Sequence, residues 1–593
     1  MVPSIPRERR LARGFSKTRM DSSAPIWLYE PAATLLLVLA FLLPAVLLPQ
    51  SSERFFGRIE NVFSRLARQK PLAVVSVFFL VLLVRLALLG QLPVPYPGIH
   101  DEFSYLLMAD TFAHGHLANP PHPLWRSFET FHVISFPVYV SKYPPAQGVA
   151  LALGQLLGHP WIGVLTSAAA MAAAFVWALQ AWMPERWAFL VGILAALKLC
   201  VACYWINSYW GGAVAGIGGA LVLGAFGRLR RGAAPHLGIL LALGVTILIN
   251  SRPYESVFFC VPIVVALFRW LRREWREGDL RRVALRSVVF PAAGILLVTF
   301  CAMAYYDWRL TGNPLDPPYA YAPRLLQRGA TFLWQKPLPP GPYDNAQFDT
   351  FYNKFEIGNY DRTWTTFKSV FQSKREHCLP IFFWPACWAL LPGALFVYRD
   401  ARLRVVFLAL LATVFAYCLV VWPGPHYLAP AATAWFALLV QSIRHLRVLR
   451  IRRRPIGAAL SRAVLFALVF DVSQLVLQRI GDPLGWGSWG LGDRQELQYK
   501  LESMPGKHVV LVRYDESHSV HEEWVYNLAD IDASKIIWAR DLPGEANDQL
   551  LKYYPDRTIW MAFPDSGDEP AIVRLPLTPS QNTANSDGTR SPY

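Results

Sequence analysis

The sequence predicts a polytopic α-helical membrane protein of about 11 to 13 transmembrane helices, ending in a small α/β domain. Three observations carry that prediction. Hydrophobic residues make up 54% of the 593 positions and fall in long blocks, not in the short runs of a soluble core. The arginines behind the net charge of +16 concentrate in short loops between those blocks. There the preference of positive charge for the cytoplasmic side of a membrane accounts for them, and no nucleic-acid partner is needed. After Ile480 the blocks stop and short apolar runs replace them.

Crossing the hydrocarbon takes roughly 20 apolar residues, fewer where neighbouring helices help. The expected spans are Ile26 to Pro49, Pro71 to Leu92, Trp161 to Trp182, Trp187 to Ile206, Ala213 to Phe226 and His236 to Asn250. Val257 to Trp270, Ser287 to Tyr306, Leu379 to Tyr398, Leu403 to Val421, Tyr427 to Ile443 and Ala463 to Ile480 complete the set. The segment Ala146 to Gly158 is too short to span and is expected to be re-entrant or juxtamembrane. Of the seven cysteines, six lie in apolar runs and Cys378 sits near a loop. None has a zinc-like or redox-like spacing, so packing is their default role.

The loops Arg228 to Arg231, Arg269 to Arg286 and Arg444 to Arg462 are arginine-rich enough to be placed in the cytoplasm. Parity then puts Asn207 to Gly212, Ser251 to Glu255, Asp307 to Cys378, Trp422 to His426 and everything after Ile480 on the external side. Asp101 falls there too. With Arg54 to Lys70 cytoplasmic, the first span would leave the basic segment Arg7 to Arg19 outside, against the charge rule. Either Ile26 to Pro49 does not span, or translation starts at Met20; the second is preferred.

After a Gly- and Trp-rich linker, Val509 to Val512, Ile536 to Trp538 and Ile559 to Phe563 read as buried strands. Helical patterns at Ser519 to Ala529 and Glu545 to Tyr553 separate them, a βαβαβ order. No Gly-rich phosphate loop follows the first strand, so nucleotide binding is not supported. Four regions result. Residues 1–70 carry one apolar helix and a basic juxtamembrane stretch, and 71–480 form the transmembrane core with external loops 93–160 and 307–378. Residues 481–576 form an external α/β domain, and 577–593 a polar tail expected to be disordered.

The polar clusters within the apolar part all project to the face of Asp101. They are His100-Asp101-Glu102, Lys142-Tyr143-Pro144-Pro145, Asn207 to Gly212, Ser251 to Glu255, Asp307 and His426-Tyr427. For Asp101 and Glu102 the bland role is capping the helix that starts at Phe103. The chemical role is general base, since partial desolvation raises a carboxylate pKa. Neighbours on a helix point about 100° apart, so one acid should face the reacting atoms, and Asp101 is preferred. Lys142 either snorkels to the interface or binds a phosphate. Arg252 either pairs with Glu255 or grips phosphate oxygens. His426 could join the same anion, although a lone histidine is more often structural. Tyr209 and Trp210 offer faces to sugar rings or isoprenoid chains, or anchor the interface. The candidate substrate contacts are Tyr105, Tyr143, Tyr209, Trp210, Tyr254, Glu255 and Tyr427. The loop Asp307 to Cys378, with Trp334, Tyr343 and Trp364, reads as a lid.

An Asp-Glu pair directly after an early span, the helix Phe103 to His114 and the later Lys142-Tyr143-Pro144-Pro145 resemble the GT-C superfamily of membrane glycosyltransferases. The closest likeness is to bacterial relatives of the protein O-mannosyltransferases and the lipid A aminoarabinose transferase. The resemblance covers roughly Pro71 to Tyr427. It implies a GT-C-like fold in a bacterial inner membrane, with the active site and C-terminal domain on the external, periplasmic face. It implies transfer of a sugar, with inversion, from a polyprenyl-phosphate donor to a glycan, lipid or protein acceptor. It further implies Asp101 as the catalytic base, with the adjacent Glu102 kept as the second catalytic candidate, Lys142 as a donor-phosphate ligand, and Arg252 and His426-Tyr427 as other phosphate-side groups. Some members hold a metal in or near the site. No carboxylate and histidine spacing here compels one, so no metal ligand is assigned and a divalent ion is left open.

Two other function classes meet some of the same demands. A transporter or flippase for a lipid or glycan uses many spans and intramembrane charges, but places its binding residues near the midplane of repeated halves. A ligase or polymerase of glycans using a diphosphate-linked donor, or a non-catalytic scaffold presenting the external domain, remains as a further alternative.

Overall fold

The computed structural model describes residues 39–41, 43, 47, 49–276, 285–382, 398, 400–451, 454–481, 491–542, 544–566 and 571–576. Most of the expected first span, Ile26 to Pro49, most of Leu379 to Tyr398 and the tail 577–593 lie outside these residues. The described helices are α1 (Pro49–Arg68), α2 (Lys70–Ala87), α3 (His100–Ala113), α4 (Pro145–Leu156), α5 (Pro160–Leu179), α6 (Glu185–Leu199), α7 (Ala213–Leu229), α8 (Pro235–Ile249), α9 (Pro253–Arg276) and α10 (Phe290–Thr311). They continue as α11 (Pro318–Leu326), α12 (Trp364–Phe382), α13 (Arg404–Leu419), α14 (Ala432–Arg447), α15 (Ile456–Gly481), α16 (Gly492–Ser503) and α17 (Glu545–Tyr553).

Five of them, α2, α5, α9, α10 and α15, are long and apolar enough to cross a membrane, and α7, α8 and α13 are shorter apolar helices. Their outer residues explain why the sequence reads as membrane-spanning. Leu83, Phe268, Val298 and Leu297 are each more than 60% exposed although apolar, which a lipid environment covers and water would penalise. Helix α1 is different in kind. It presents Phe55, Ile59 and Val62 on one exposed stripe and ties Glu60 to Arg447 (2.5 Å) and Arg462 (3.2 Å).

The bundle has a basic end and a polar end. At the basic end Arg228 donates to the Trp177 carbonyl (2.7 Å) and Arg231 to that of Ala181 (2.5 Å), both at the C-terminus of α5. At the N-terminus of the same helix, Trp161 donates from Nε1 to the Ile206 carbonyl (2.9 Å), next to the Asn207 to Gly212 turn. The segments that the arginine parity assigns to opposite sides therefore lie at opposite ends of α5. The expected span Trp187 to Ile206 is helical only to Leu199; residues 200–210 run as buried turns that bring Tyr204 and Trp205 beneath the polar end. Helix α4 lies against α3 and α5, with Leu153, Leu156 and Leu157 exposed, and is juxtamembrane in form.

The centre of the bundle packs closely through small residues. A Cβ on Gly219 of α7 would stand 1.9 Å from the carbonyl oxygen of Pro430, so only glycine lets the 3₁₀ segment Pro425–Ala431 lie on α7. That contact fixes the height of His426 and Tyr427.

The C-terminal unit has a four-stranded sheet, β3 (His508–Val512), β4 (Ile536–Arg540), β5 (Thr558–Phe563) and β6 (Ala571–Arg574), after a hairpin of β1 (Val133–Ile134) and β2 (Val140–Ser141) earlier in the chain. The order is β4-β3-β5-β6, with the first three strands parallel and β6 antiparallel. The expected helix Ser519 to Ala529 is absent. Trp524, Val525 and Tyr526 are buried in succession, which an amphipathic helix cannot do, and Asn527 pairs its side chain with both backbone groups of Trp538. Helix α16 and strand β6 were not foreseen.

This unit shares its core with loop 93–160. Leu107, Phe128, Val133 and Tyr139 pack with Val509, Leu511 and Ile537, and Phe103 stacks on Tyr526 at 4.2 Å. Arg494 of α16 lies over both Phe103 and Trp538. Ala529 donates its N–H to Asp110 Oδ2 (2.9 Å), and Arg540 donates to the Glu129 carbonyl (2.7 Å).

Candidate active site

Helix α3 opens the site. Arg85, buried near the C-terminal end of α2, donates to the carbonyls of Leu92 (2.7 Å) and Pro93 (3.1 Å) and turns the chain into the approach to Ile99. Ile99 is the N-cap, so Asp101 and Glu102 occupy the first turn, where the helix dipole favours acids. The pair then divides. Glu102 is buried and turned inward: its carboxylate accepts N–H bonds from Gly98 (2.6 Å) and Tyr209 (2.8 Å), a reach-back of the capping-box kind. Burial pushes its carboxyl up to about 8. Expected with Asp101 as a catalytic pair, Glu102 instead ties α3 to the 200–210 turns.

Asp101 faces the other way and keeps some exposure. Its Oδ1 accepts the Tyr143 hydroxyl, and its Oδ2 lies 3.6 Å from His100 Nδ1 and 3.7 Å from His132 Nε2. Burial works against its charge, yet the His132 and His100 rings and the Tyr143 hydroxyl outweigh it and hold the carboxyl well below the usual carboxylate range. Desolvation was expected to raise this group; the raised acid of the pair is Glu102.

The hairpin β1–β2 delivers the next residues. Its register sets Val133 opposite Ser141, so His132 and Lys142 flank its open end, and the Lys142 N–H donates to the His132 carbonyl (3.2 Å). Ser104 of α3 bonds to Ser141 Oγ (2.7 Å) and to the same carbonyl (2.7 Å), locking hairpin to helix. Lys142 thus stands in the field of Asp101 and of Glu356, and burial draws its ammonium pKa down. It makes no ion pair with a carboxylate among the described residues. Pro144 and Pro145 then start α4.

Arg252, in the turn between α8 and α9, supplies the second cation. Its guanidinium lies over the Tyr427 ring at 4.9 Å, near Tyr105 and Tyr319, and the alternative of a direct ion pair with Glu255 is not formed, although Glu255 is close enough to be felt. Tyr105, Tyr427 and His426 each lie in the field of both Arg252 and Asp101. Tyr105 stacks on Tyr143 at 4.6 Å, which closes the gap between the cation and the acid. His426 is buried, its Nδ1 paired with the Tyr204 hydroxyl (2.8 Å) and its ring against Trp210 (4.7 Å). Burial and Arg252 press its pKa well below the ordinary imidazole value, so it is a neutral group here.

Two of the expected substrate contacts have other work. Tyr209 spends its hydroxyl on the Pro95 carbonyl (2.9 Å), and Tyr254 packs among Phe258 and Phe332. Asp307 is buried within α10 and enters none of these contacts. From loop 307–378 it is Tyr319, Phe351 and Glu356 that reach the site, while Trp334 and Trp364 are exposed and stack on Phe332 and Phe367. Glu356 accepts the N–H groups of Arg328 and Gly329 (3.2 Å each), and burial lifts its carboxyl to about 7 beside Lys142. His521, from the C-terminal unit, sits 5.6 Å from His100, ring centre to ring centre. His132, Tyr319, Glu356, Tyr204 and His521 were missed in the sequence. Of these, His132 could have been found by pairing the β-prone runs on either side of Ser135 to Pro137.

No protein-family model and no curated protein matches the chain. Among solved structures, ArnT from Cupriavidus metallidurans bound to undecaprenyl phosphate is similar at 14% identity and a TM-score of 0.48, over 82% of this chain and 93% of that one. Its apo form gives 13% and 0.47, over 86% and 98%. The archaeal oligosaccharyltransferase AglB from Archaeoglobus fulgidus, in complex with an inhibitory peptide and a dolichol-phosphate, gives 11% and 0.41, over 83% and 69%. At such identities and scores the likeness carries no argument about activity.

Proposed function

We propose that this protein is an integral-membrane glycosyltransferase of the GT-C type. It transfers a sugar, with inversion, from a polyprenyl-phosphate donor to an acceptor on the extracytoplasmic face. The observation that carries the reading is the gathering of three separate stretches of chain: Lys142 lies in the field of Asp101, and Arg252 lies over Tyr427, which with Tyr105 and His426 feels both Arg252 and Asp101, while neither cation makes an ion pair among the described residues. A half-buried guanidinium and a half-buried ammonium held without an ion pair are better stabilised when an anion completes them. A lipid phosphate is such an anion, and the exposed apolar helices beside the polar end give its isoprenoid chain a place to lie.

In the reaction the acceptor oxygen attacks C1 of the sugar while the C1–O bond to the phosphate breaks. Negative charge grows on the departing phosphate, where Arg252 forms a bidentate contact and Lys142 a point contact, both stronger as the charge develops. The acceptor proton passes toward Asp101, the carboxylate that remains accessible. With a low pKa, Asp101 is a weak base that acts late, when the acceptor oxygen has become acidic through bond formation. Glu102 and Tyr143 position Asp101. A transporter would gather these groups at the midplane, whereas here they sit at one end of the bundle.

Purified protein reconstituted with a panel of radiolabelled polyprenyl-phosphate sugars, with polyprenyl-diphosphate sugars as a second arm, tests the reading. Transfer from a monophosphate donor is expected, reduced roughly 10² to 10⁴-fold by Asp101→Asn with melting temperature preserved. Transfer only from the diphosphate arm would favour the ligase, and an unaffected Asp101→Asn enzyme would remove Asp101 from the chemistry.

A further inference from the structure

Two imidazoles beside Asp101 carry buried ring nitrogens with no hydrogen-bond partner among the described residues. The His100 side chain is 3% exposed, and neither of its ring nitrogens makes a hydrogen bond; His132 Nδ1 is also buried without one. A buried polar atom left without a hydrogen bond is costly and calls for an explanation. Both rings are walled by Phe351 (5.3 and 5.9 Å between centroids), and His100 also by Phe131 (5.2 Å) and the His521 ring (5.6 Å); among the described residues no acceptor takes up those nitrogens.

The three side chains are arranged around a common point. His100, Asp101 and His132 each offer a ligand atom within 4.8 Å of the other two. The distances from Asp101 Oδ2, 3.6 and 3.7 Å, are too long for hydrogen bonds. They are close to the separation of about 3.4 Å between neighbouring ligands of a tetrahedral ion with bonds of about 2.0 to 2.1 Å. The two rings stand perpendicular at 4.8 Å, so they can approach one ion from different directions.

Two features hold the arrangement in place before any ion arrives. His132 has φ of 62°, a left-handed backbone that a non-glycine residue seldom adopts, and its carbonyl is pinned by Ser104 and Lys142. The second oxygen of Asp101 is oriented by the Tyr143 hydroxyl, the outer partner that ligating carboxylates usually have.

We propose that His100, Asp101 and His132 form a binding site for one divalent first-row transition-metal ion, with zinc the best match to two imidazoles and a carboxylate, and with one coordination position open. Three protein ligands leave room for a fourth from solvent or substrate. Asp101 is the most exposed of the three, so the open position faces the site. On the sugar-transfer reading, an ion held there would supply a Lewis acid beside the acceptor hydroxyl. This last point rests on the reading above; the metal site itself does not.

The test is metal binding by purified, tag-free protein stripped with a chelator. Titration with Co²⁺ followed by visible absorption, and with Zn²⁺ by calorimetry, is expected to give one site per chain. His100→Gln and Asp101→Asn should each weaken binding roughly 100-fold or more, and Tyr143→Phe roughly 10-fold. His132→Asn serves as a third variant that keeps the left-handed backbone. Absence of saturable binding, or equal affinity in His100→Gln, Asp101→Asn and wild type, overturns the site. Metal binding with no transfer from any donor overturns the function and leaves the site standing. Transfer by protein that binds no metal does the reverse.

Discussion

On the sugar-transfer reading, Glu356 is the single residue that couples loop 307–378 to the donor phosphate. Its carboxyl is lifted to about 7 by burial, and it lies beside Lys142. Below that pH the group is neutral and Lys142 is free for a phosphate; above it the carboxylate competes for the ammonium. The apparent KM for the donor is therefore expected to rise several-fold from pH 6 to pH 8. Glu356→Gln, which keeps an oxygen for the Arg328 and Gly329 N–H groups, should flatten that rise. The stability term has a definite sign as well. A folded pKa above the ordinary glutamate value of 4.5 means that the contribution is present in full below about 4.5 and is lost as pH rises to about 7. Asp101 behaves oppositely, being held low, so it contributes no loss of activity between pH 5 and 8. Profiles of kcat and KM against pH for the two proteins check this.

The same scale shows what the sequence could disclose. Asp101 and Lys142 stand out because charge beside an apolar block is conspicuous. His132 and Glu356 do not, because their roles depend on a hairpin register and on a loop that folds back over a distance no local pattern records. The Lys198–Asp471 ion pair (2.5 Å) between α6 and α15 escaped for the same reason: each residue reads locally as a lone interruption of an apolar run.

At the scale of elements, the spans were legible wherever a block was continuous, as in α2, α5, α10 and α13. Helix α6 ended early because the chain needs irregular backbone at residues 200–210 to present Tyr204 and Tyr209. The segment 519–529 imitated a helical period while laying consecutive aromatics against the sheet. The 3₁₀ segment Pro425–Ala431 rests on Gly219, whose added Cβ would meet the Pro430 carbonyl at 1.9 Å. Gly219→Ala should therefore displace His426 and Tyr427, costing about 1 to 3 kcal/mol of stability and weakening donor binding. Gly57→Ala is the control, since its Cβ would meet nothing within 4 Å. Thermal unfolding of both variants decides the point; equal melting temperatures would show that the segment is not fixed by this contact.

The whole molecule is organised as a basic end and a polar end, with the C-terminal unit built into the polar one. Positive charge favours the cytoplasm, so Arg231 is expected inside, and Glu255 and Gly492 outside. Alkaline phosphatase fused after Gly492 should be active and the fusion after Arg231 inactive; the opposite pattern would invert the topology. The shared core between loop 93–160 and the sheet also means that the C-terminal unit is part of the site's scaffold, a feature that the break in composition at Ile480 concealed.

The claim on which the rest stands is that Lys142 and Arg252 grip the phosphate of a lipid carrier in one site with Asp101. Its most direct test is the affinity of purified protein for a polyprenyl phosphate, measured for wild type, Lys142→Met, Arg252→Gln and the exposed control Trp364→Ala. Each charge-assisted contact is worth about 1.5 to 3 kcal/mol, so each cation variant should bind roughly 10 to 100-fold more weakly, with the control unchanged. Equal affinity in all four proteins, or no saturable binding in wild type, would contradict the account.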